Sequence, residues 1–190
     1  MDARENRIGA PLVWKGAMLA AVDATESRTA PAVRERFVEL VDRELDRAFR
    51  IAGLILGTTA EAEDAVGDAL ERAWRSIDAL RDPDRFQAWF DRILVNSCRD
   101  VLRRRGRVRF VELAIDADHR SPDPFAAVLA NDAAWRLVRD LPAEEREIVV
   151  LHFWADLTLE AVAERLAIPS GTVKSRLNRA LGRLRAGGAR

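Results

Sequence analysis

From residue 32 onward apolar positions recur at helical spacing, and that rhythm divides the chain into elements. Phe37, Leu40, Val41, Leu45, Ala48, Phe49, Ala52, Ile55 and Leu56 keep one face apolar over several turns, the pattern of a long amphipathic helix. Gly57 suits the residue that ends it, and Thr58-Thr59-Ala60-Glu61 offers a capping box for the next. That next helix buries Ala62, Ala65, Val66, Ala69, Leu70, Ala73, Trp74 and Ile77. After a loop over Asp78 to Asp84, Asp82-Pro83 supplies an N-cap and a proline at the first helical position. A helix then runs from Phe86 to near Arg105 with Phe86, Trp89, Phe90, Ile93, Leu94, Val101 and Leu102 as core. From Gly106 to near Leu129 no period is sustained, and Asp116, Asp118 and Ser121-Pro122-Asp123-Pro124 read as a linker. Helical pattern resumes near Phe125 or Ala126. Leu141-Pro142 starts a further helix, whose Ile148, Leu151 and His152 face the last two. Residues 1–32 carry no comparable signal: Leu12 to Val22 allows a short helical stretch, and Thr25 to Pro31 reads as a loop.

The end of the chain repeats the helical period twice in a short space. Leu159, Val162, Ala163 and Leu166 form one apolar stripe, and Ala167-Ile168-Pro169 breaks it. Ser170 is a suitable cap for the following helix. Val173, Leu177, Ala180, Leu181 and Leu184 make the second stripe, while Lys174, Ser175, Arg176, Asn178, Arg179 and Arg183 occupy the opposite face. No acidic residue follows Arg165. Two short helices, a tight turn and a basic second helix are the pattern of a helix-turn-helix that enters a DNA major groove. A glycine commonly holds the turn; here the position is Ala167, and a left-handed backbone there costs about 1–2 kcal/mol with a β-carbon.

These periods predict an all-α protein of two helical lobes joined by a flexible linker, since no strand-like alternation is long enough to compete. The 190 residues suffice for two small cores. Composition changes this picture little, but charge changes it more. Formal net charge is zero, which excludes a protein that coats nucleic acid by bulk charge. The average hides a segregation into basic stretches, Arg92 to Arg109 and Arg165 to Arg190, and an acidic one, Glu61 to Glu71. The single cysteine, Cys98, forms no internal disulfide and reads as a small packed residue. The N-terminal stretch is a poor signal peptide, and no apolar window reaches membrane-spanning length. The expectation is a soluble, cytoplasmic protein. His119 and His152 have no metal-ligand spacing with each other or with Cys98. No phosphate loop, nucleophile elbow or clustered acid pair appears, so neither an enzyme, a cofactor nor a small-molecule substrate is expected. Trp74, Trp89, Trp135 and Trp154, with Phe86 and Phe90, fall on or beside apolar stripes and read as core.

The third predicted helix carries the most distinctive polar pattern. Arg92, Asn96, Arg99 and Arg103 lie at i, i+4, i+7 and i+11, a single stripe that runs into Arg103-Arg104-Arg105-Gly106-Arg107, with Asp91 and Asp100 at its edges. The helix before it shows Asp64, Asp68, Glu71 and Arg75, an arrangement the helix dipole alone would favour.

Taken in order, these elements resemble the extracytoplasmic-function (ECF) group of bacterial RNA polymerase sigma factors. Ala62-Glu63-Asp64-Ala65-Val66 through Arg72-Ala73-Trp74-Arg75 is similar to that group's region 2.2. Phe86-Gln87-Ala88-Trp89-Phe90 through Asn96, then Asp100 to Arg105, resembles regions 2.3 and 2.4. Leu141-Pro142 through Arg146 and Gly171-Thr172-Val173-Lys174-Ser175-Arg176-Leu177 resemble region 4. The chain departs at Gly67-Asp68, where the group has Gln-Glu, and at Ala167.

The resemblance implies an N-terminal extension over 1–32, region 2 over 33–107, a linker over 108–130 and region 4 over 131–190. It implies core RNA polymerase, through its β′ clamp and β flap, and promoter DNA as partners, with an anti-sigma factor as a common third. Asp64, Asp68, Glu71 and Arg75 would meet the clamp. Arg92, Asn96, Arg99, Arg103, Arg104 and Arg105 would meet the −10 element. There an unpaired base is flipped into a pocket, and Asn96 matches the position that reads it, aided by the loop Ile77 to Arg85. Ser170, Thr172, Lys174, Ser175, Arg176 and Arg179 would meet the −35 element as duplex. Two other readings stay open on the residues: a stand-alone helix-turn-helix regulator, and a helical module that sequesters a partner through its acidic helix.

Overall fold

The computed structural model describes residues 31–111 and 133–188. The expectations for the N-terminal extension, for His119, for the Asp116 to Pro124 linker signals and for the Trp135 side chain lie outside the described residues. Helix α1 spans Pro31–Leu56. It stops at Gly57, whose φ of +90° is one that a β-carbon would strain. There the Gly57 N–H still reaches the Gly53 carbonyl at 2.7 Å. Helix α2 spans Thr59–Arg75. The Thr58 hydroxyl accepts from the Glu61 N–H at 3.3 Å and donates to the Glu61 carboxylate at 3.0 Å, a cap that contributes about 1 kcal/mol. Two single 3-10 turns follow, Ile77–Ala79 and Pro83–Arg85. The Asp82 carboxylate accepts from the Asp84 N–H at 3.0 Å, with Pro83 next in line as the sequence suggests.

Helix α3 spans Phe86–Val111. The linker was expected to begin at Gly106, yet the backbone stays helical through it. One interior glycine costs about 1 kcal/mol against alanine, too little to end a helix already held along its length by packing. The second lobe comprises α4 (Ala133–Arg139), α5 (Ala143–Phe153), α6 (Leu159–Leu166) and α7 (Ser170–Gly188). Among the described residues there is no strand.

Helices α1, α2 and α3 pack on one another, as do α5, α6 and α7. The first core centres on Phe37, whose ring lies 5.1 Å from Trp74 and 6.3 Å from Phe86; Phe86 in turn stacks on Phe90 at 5.6 Å. Burying each such ring stabilises the fold by roughly 2 kcal/mol. The second core holds Ile148, Leu151, Val162, Leu166, Val173, Leu177 and Ala180. The lobes also touch: α1 packs on α5 and α3 on α6, so buried residues of both form one cluster.

Trp74 and Trp89 are half-buried against the core, and Phe86 and Phe90 are buried, as expected. Trp154 is not core. It is 45 % exposed beside Phe153 at 56 %, because α5 ends at Phe153 and the chain turns away there. His152 Nδ1 lies 2.7 Å from the Leu157 carbonyl, which ties that turn down.

Candidate nucleic-acid interface

The α3 stripe is real but unevenly exposed. Arg92, Asn96 and Arg103 reach solvent, whereas Arg99 is half-buried. The Arg99 guanidinium is turned toward the second lobe. Its Nε stands 3.1 and 3.0 Å from the two Glu147 carboxylate oxygens, its Nη2 donates at 2.8 Å, and its Nη1 reaches the Leu166 carbonyl at 3.4 Å. Arg103 contacts Asp100, which also accepts from Arg72 at 2.7 Å. The hydrogen bond from Arg72 leads in holding the Asp100 carboxyl below the usual carboxylate range, with the nearby arginine charges in support.

The arginine run at the end of the stripe meets the acidic helix. Arg104 lies 3.1 Å from Asp68 and Arg105 3.6 Å from Glu61. Arg104 and Asp68, expected to meet two different partners, are thus paired with each other across α2 and α3. These pairs are solvent-exposed, so each contributes under about 1 kcal/mol and yields readily to a phosphate or a partner's charge. Arg75 pairs with Glu71 one turn away at 2.6 Å, and Asp64 is exposed.

In the second lobe, α6 and α7 form the helix-turn-helix. Ala167 takes the left-handed conformation (φ 52°, ψ 44°), so the turn keeps its geometry without the glycine. The Ala167 N–H donates to the Glu164 carbonyl at 3.3 Å and the Ile168 N–H to the Ala163 carbonyl at 3.1 Å, the paired bonds of a Schellman ending. Ser170 falls one position inside the helix it was expected to cap. Pro169 takes the N-cap position, and its carbonyl accepts the first helical bonds from the Thr172 and Val173 N–H groups at 2.9 and 3.2 Å. Val173, Leu177 and Ala180 are buried, which turns Lys174, Ser175 and Arg179 outward. Lys174 lies 3.8 Å from Glu160, Arg176 pairs with Glu144 at 2.6 Å, and the Ser175 hydroxyl donates to the Thr172 carbonyl at 3.0 Å. Thr172 is half-buried.

Three buried acids carry no mark of their own in the sequence pattern: Glu145, 4 % exposed and 3.1 Å from Arg183 Nε, and two more that face the contact between lobes. Asp91, placed there at the edge of the stripe, is 1 % exposed; it accepts from Arg47 at 2.7 and 3.0 Å and lies 3.6 Å from Arg165 Nε. Glu147 is 2 % exposed, and burial pushes its carboxyl up against the opposing pull of Arg99. Only helical register points to the last two: Asp91 precedes buried Val95 and Cys98 by four and seven positions, and Glu147 precedes buried Val150 and Leu151 by three and four. The Cys98 thiol, buried nearby, is raised out of its ordinary range chiefly by desolvation, so no thiolate is available. Among the described residues no cluster of side chains has the makings of a metal site. No described helix is long and apolar enough to cross a membrane.

A lobe bearing a basic and amide stripe on one helix is thus followed by a lobe ending in a basic helix-turn-helix. Comparison with known proteins specifies the class. A family model of sigma-70 region 2 matches residues 40–108 and one of sigma-70 region 4 matches 137–186. The ECF RNA polymerase sigma factor SigE of Mycolicibacterium smegmatis is 35 % identical over 155 residues, covering 77 % of this chain and 59 % of the relative. The chain thus spans somewhat over half of that relative's length. ECF sigma factor SigM of Mycobacterium tuberculosis is 33 % identical over 151 residues, covering 80 % of this chain and 76 % of the relative. Among solved structures, the sigma factor RpoE in complex with the anti-sigma factor NepR, from Bartonella quintana, superposes with a TM-score of 0.64 at 26 % identity, covering 79 % of this chain and 94 % of that one. The chain belongs to the sigma-70 family of RNA polymerase sigma factors, in its extracytoplasmic-function group, whose members direct promoter-specific transcription.

Proposed function

We propose that the two lobes divide promoter recognition along the faces described above, with residues 33–107 and 131–190 acting as regions 2 and 4. Arg92, Asn96, Arg99 and Arg103 meet the −10 element during strand opening, and Asn96 reads a flipped base because its amide can donate and accept together. Arg104 and Arg105 hold phosphates, which gives affinity and salt dependence without sequence information. Lys174, Arg176 and Arg179, with Ser170, Thr172 and Ser175 beside them, read the −35 duplex. A bidentate arginine–guanine pair there discriminates by about 1–3 kcal/mol. Asp64, Asp68, Glu71 and Arg75 dock on the polymerase clamp, and the second lobe on the β flap. The chain catalyses nothing itself, works in the cytoplasm and takes an anti-sigma factor as its regulator, a partner that the RpoE relative has in its complex with NepR. The observation that supports this division best is the exposure of Arg92, Asn96 and Arg103 on one face of α3, on a lobe separate from the acid-free α7.

Purified core RNA polymerase with the protein, in run-off transcription from a library of genomic fragments, tests the reading; folded protein that activates no fragment would overturn it. Arg176→Ala is expected to weaken −35 recognition about tenfold or more, as loss of one base contact would. Asn96→Ala should slow open-complex formation and leave binding to core polymerase intact. If both variants lost core binding equally, the faces would be wrongly assigned.

A further inference from the structure

Helix α7 carries one polar side chain that its own fold does not use. Gly171, Lys174, Ser175, Asn178 and Gly182 recur at helical spacing on one exposed face, away from buried Val173, Leu177 and Ala180. Most polar groups on and around that face are engaged. Lys174 lies 3.8 Å from Glu160, and the Ser175 hydroxyl donates to the Thr172 carbonyl at 3.0 Å. Arg176 pairs with Glu144 at 2.6 Å and Arg183 with Glu145 at 3.1 Å. Asn178 is different: it is exposed in the middle of the helix, and among the described residues its amide has no partner. Asparagine is also a poor structural choice there. Its amide competes with the backbone for hydrogen bonds, so it ranks well below alanine, arginine and lysine in a helix interior. A residue that its helix disfavours and the fold does not employ marks a place where function decides.

We propose that Asn178 selects an adenine in the duplex that α7 meets, an assignment that rests on the function proposed above. In the major groove only adenine offers an acceptor, N7, beside a donor, its N6 amine. A carboxamide matches the two with its NH2 group and its oxygen, whereas an arginine offers donors alone. Facing guanine, the same oxygen would meet a second acceptor and stay unpaired. The asparagine side chain is short, so the helix must lie close to the base edges. The face allows that approach. Gly171, seven positions before Asn178, and Gly182, four after it, present no side chain, and a β-carbon built at either meets nothing within 4 Å. Packing inside the protein therefore requires neither glycine, and together they leave the surface low on both sides of the amide. No acid on α7 opposes the approach of a duplex.

The test is a promoter library with a randomised −35 element, transcribed by core RNA polymerase with the full chain, the active templates being identified by sequencing. Wild type should enrich adenine at one position of that element. Asn178→Ala, which favours the helix and should fold as well as wild type, should lose that enrichment by roughly fivefold or more. Its preferences at the other positions and its affinity for core polymerase should stay unchanged. Replacing the selected adenine by 7-deazaadenine, which lacks the N7 acceptor, should weaken transcription by wild type and make no difference to Asn178→Ala. A wild type that selects no adenine or is indifferent to 7-deazaadenine would overturn the assignment. So would Asn178→Ala with the wild-type profile, or with a loss spread evenly over all positions. No transcript from any template, wild type included, would overturn the function proposed above and this assignment with it.

Discussion

Ala167 holds a left-handed backbone at the turn of the helix-turn-helix, and replacing it with glycine should stabilise the protein. The left-handed conformation costs about 1–2 kcal/mol for a residue with a β-carbon. Glycine relieves that strain but adds freedom to the unfolded chain, which returns about 0.4–1 kcal/mol. The net expectation for Ala167→Gly is a gain of roughly 0.5–1 kcal/mol. At about 2–4 °C per kcal/mol for a chain of this size, the melting temperature should rise by roughly 1–4 °C. Packing does not confuse the comparison, because Ala167 is exposed and its methyl group buries little. The Schellman bonds from Ala167 and Ile168 involve backbone atoms only and survive the change. Asp156, at φ 53°, serves as the control: a short polar side chain tolerates this region better than alanine, so Asp156→Gly should gain less. Ala167→Val should lose stability, since branching at the β-carbon worsens the same clash. Thermal unfolding followed by circular dichroism at 222 nm, the usual helix wavelength, measures all three. A melting temperature for Ala167→Gly equal to or below that of wild type would mean that the turn stores no strain.

Asp91→Asn should destabilise the fold by about 2 kcal/mol in urea unfolding, less than a fully isolated buried pair would lose. The discount reflects Glu44 and Glu164, which remain 3.4 and 3.6 Å from Arg47 and Arg165; a loss under about 0.5 kcal/mol would mark the cluster as incidental. Glu147 predicts a pH dependence of definite sign. Its folded pKa is raised above the ordinary glutamate value of 4.5, so its contribution is complete below that value and fades as pH rises through the elevated pKa. Stability of wild type relative to Glu147→Gln should therefore fall as pH climbs from 4.5, and a difference that grew with pH in wild type's favour would contradict the burial assigned to this carboxyl.

What could be read from the residues follows from how far each signal reaches along the chain. The helices, their caps at Thr58 and Asp82, the stop at Gly57 and the turn at Ala167 are set by neighbours within a few residues, and those appeared where expected. The failures share one cause, an interaction that local pattern cannot weigh. Ser170 loses its capping role because the helix begins one residue earlier than expected, which leaves Pro169 in the N-cap position. Gly106 fails to end α3, and Trp154 stays in solvent although it adjoins an apolar stripe. Arg99 is the clearest case. Its place in the stripe was evident from the i, i+4, i+7, i+11 spacing, but its partner lies 48 positions away on another lobe. A stripe of like charges in sequence implies an external anion, and here the chain supplies an anion of its own. Glu147 can fill that role because the apolar residues that follow it, Ile148 to Leu151, are all buried and carry it into the contact between lobes.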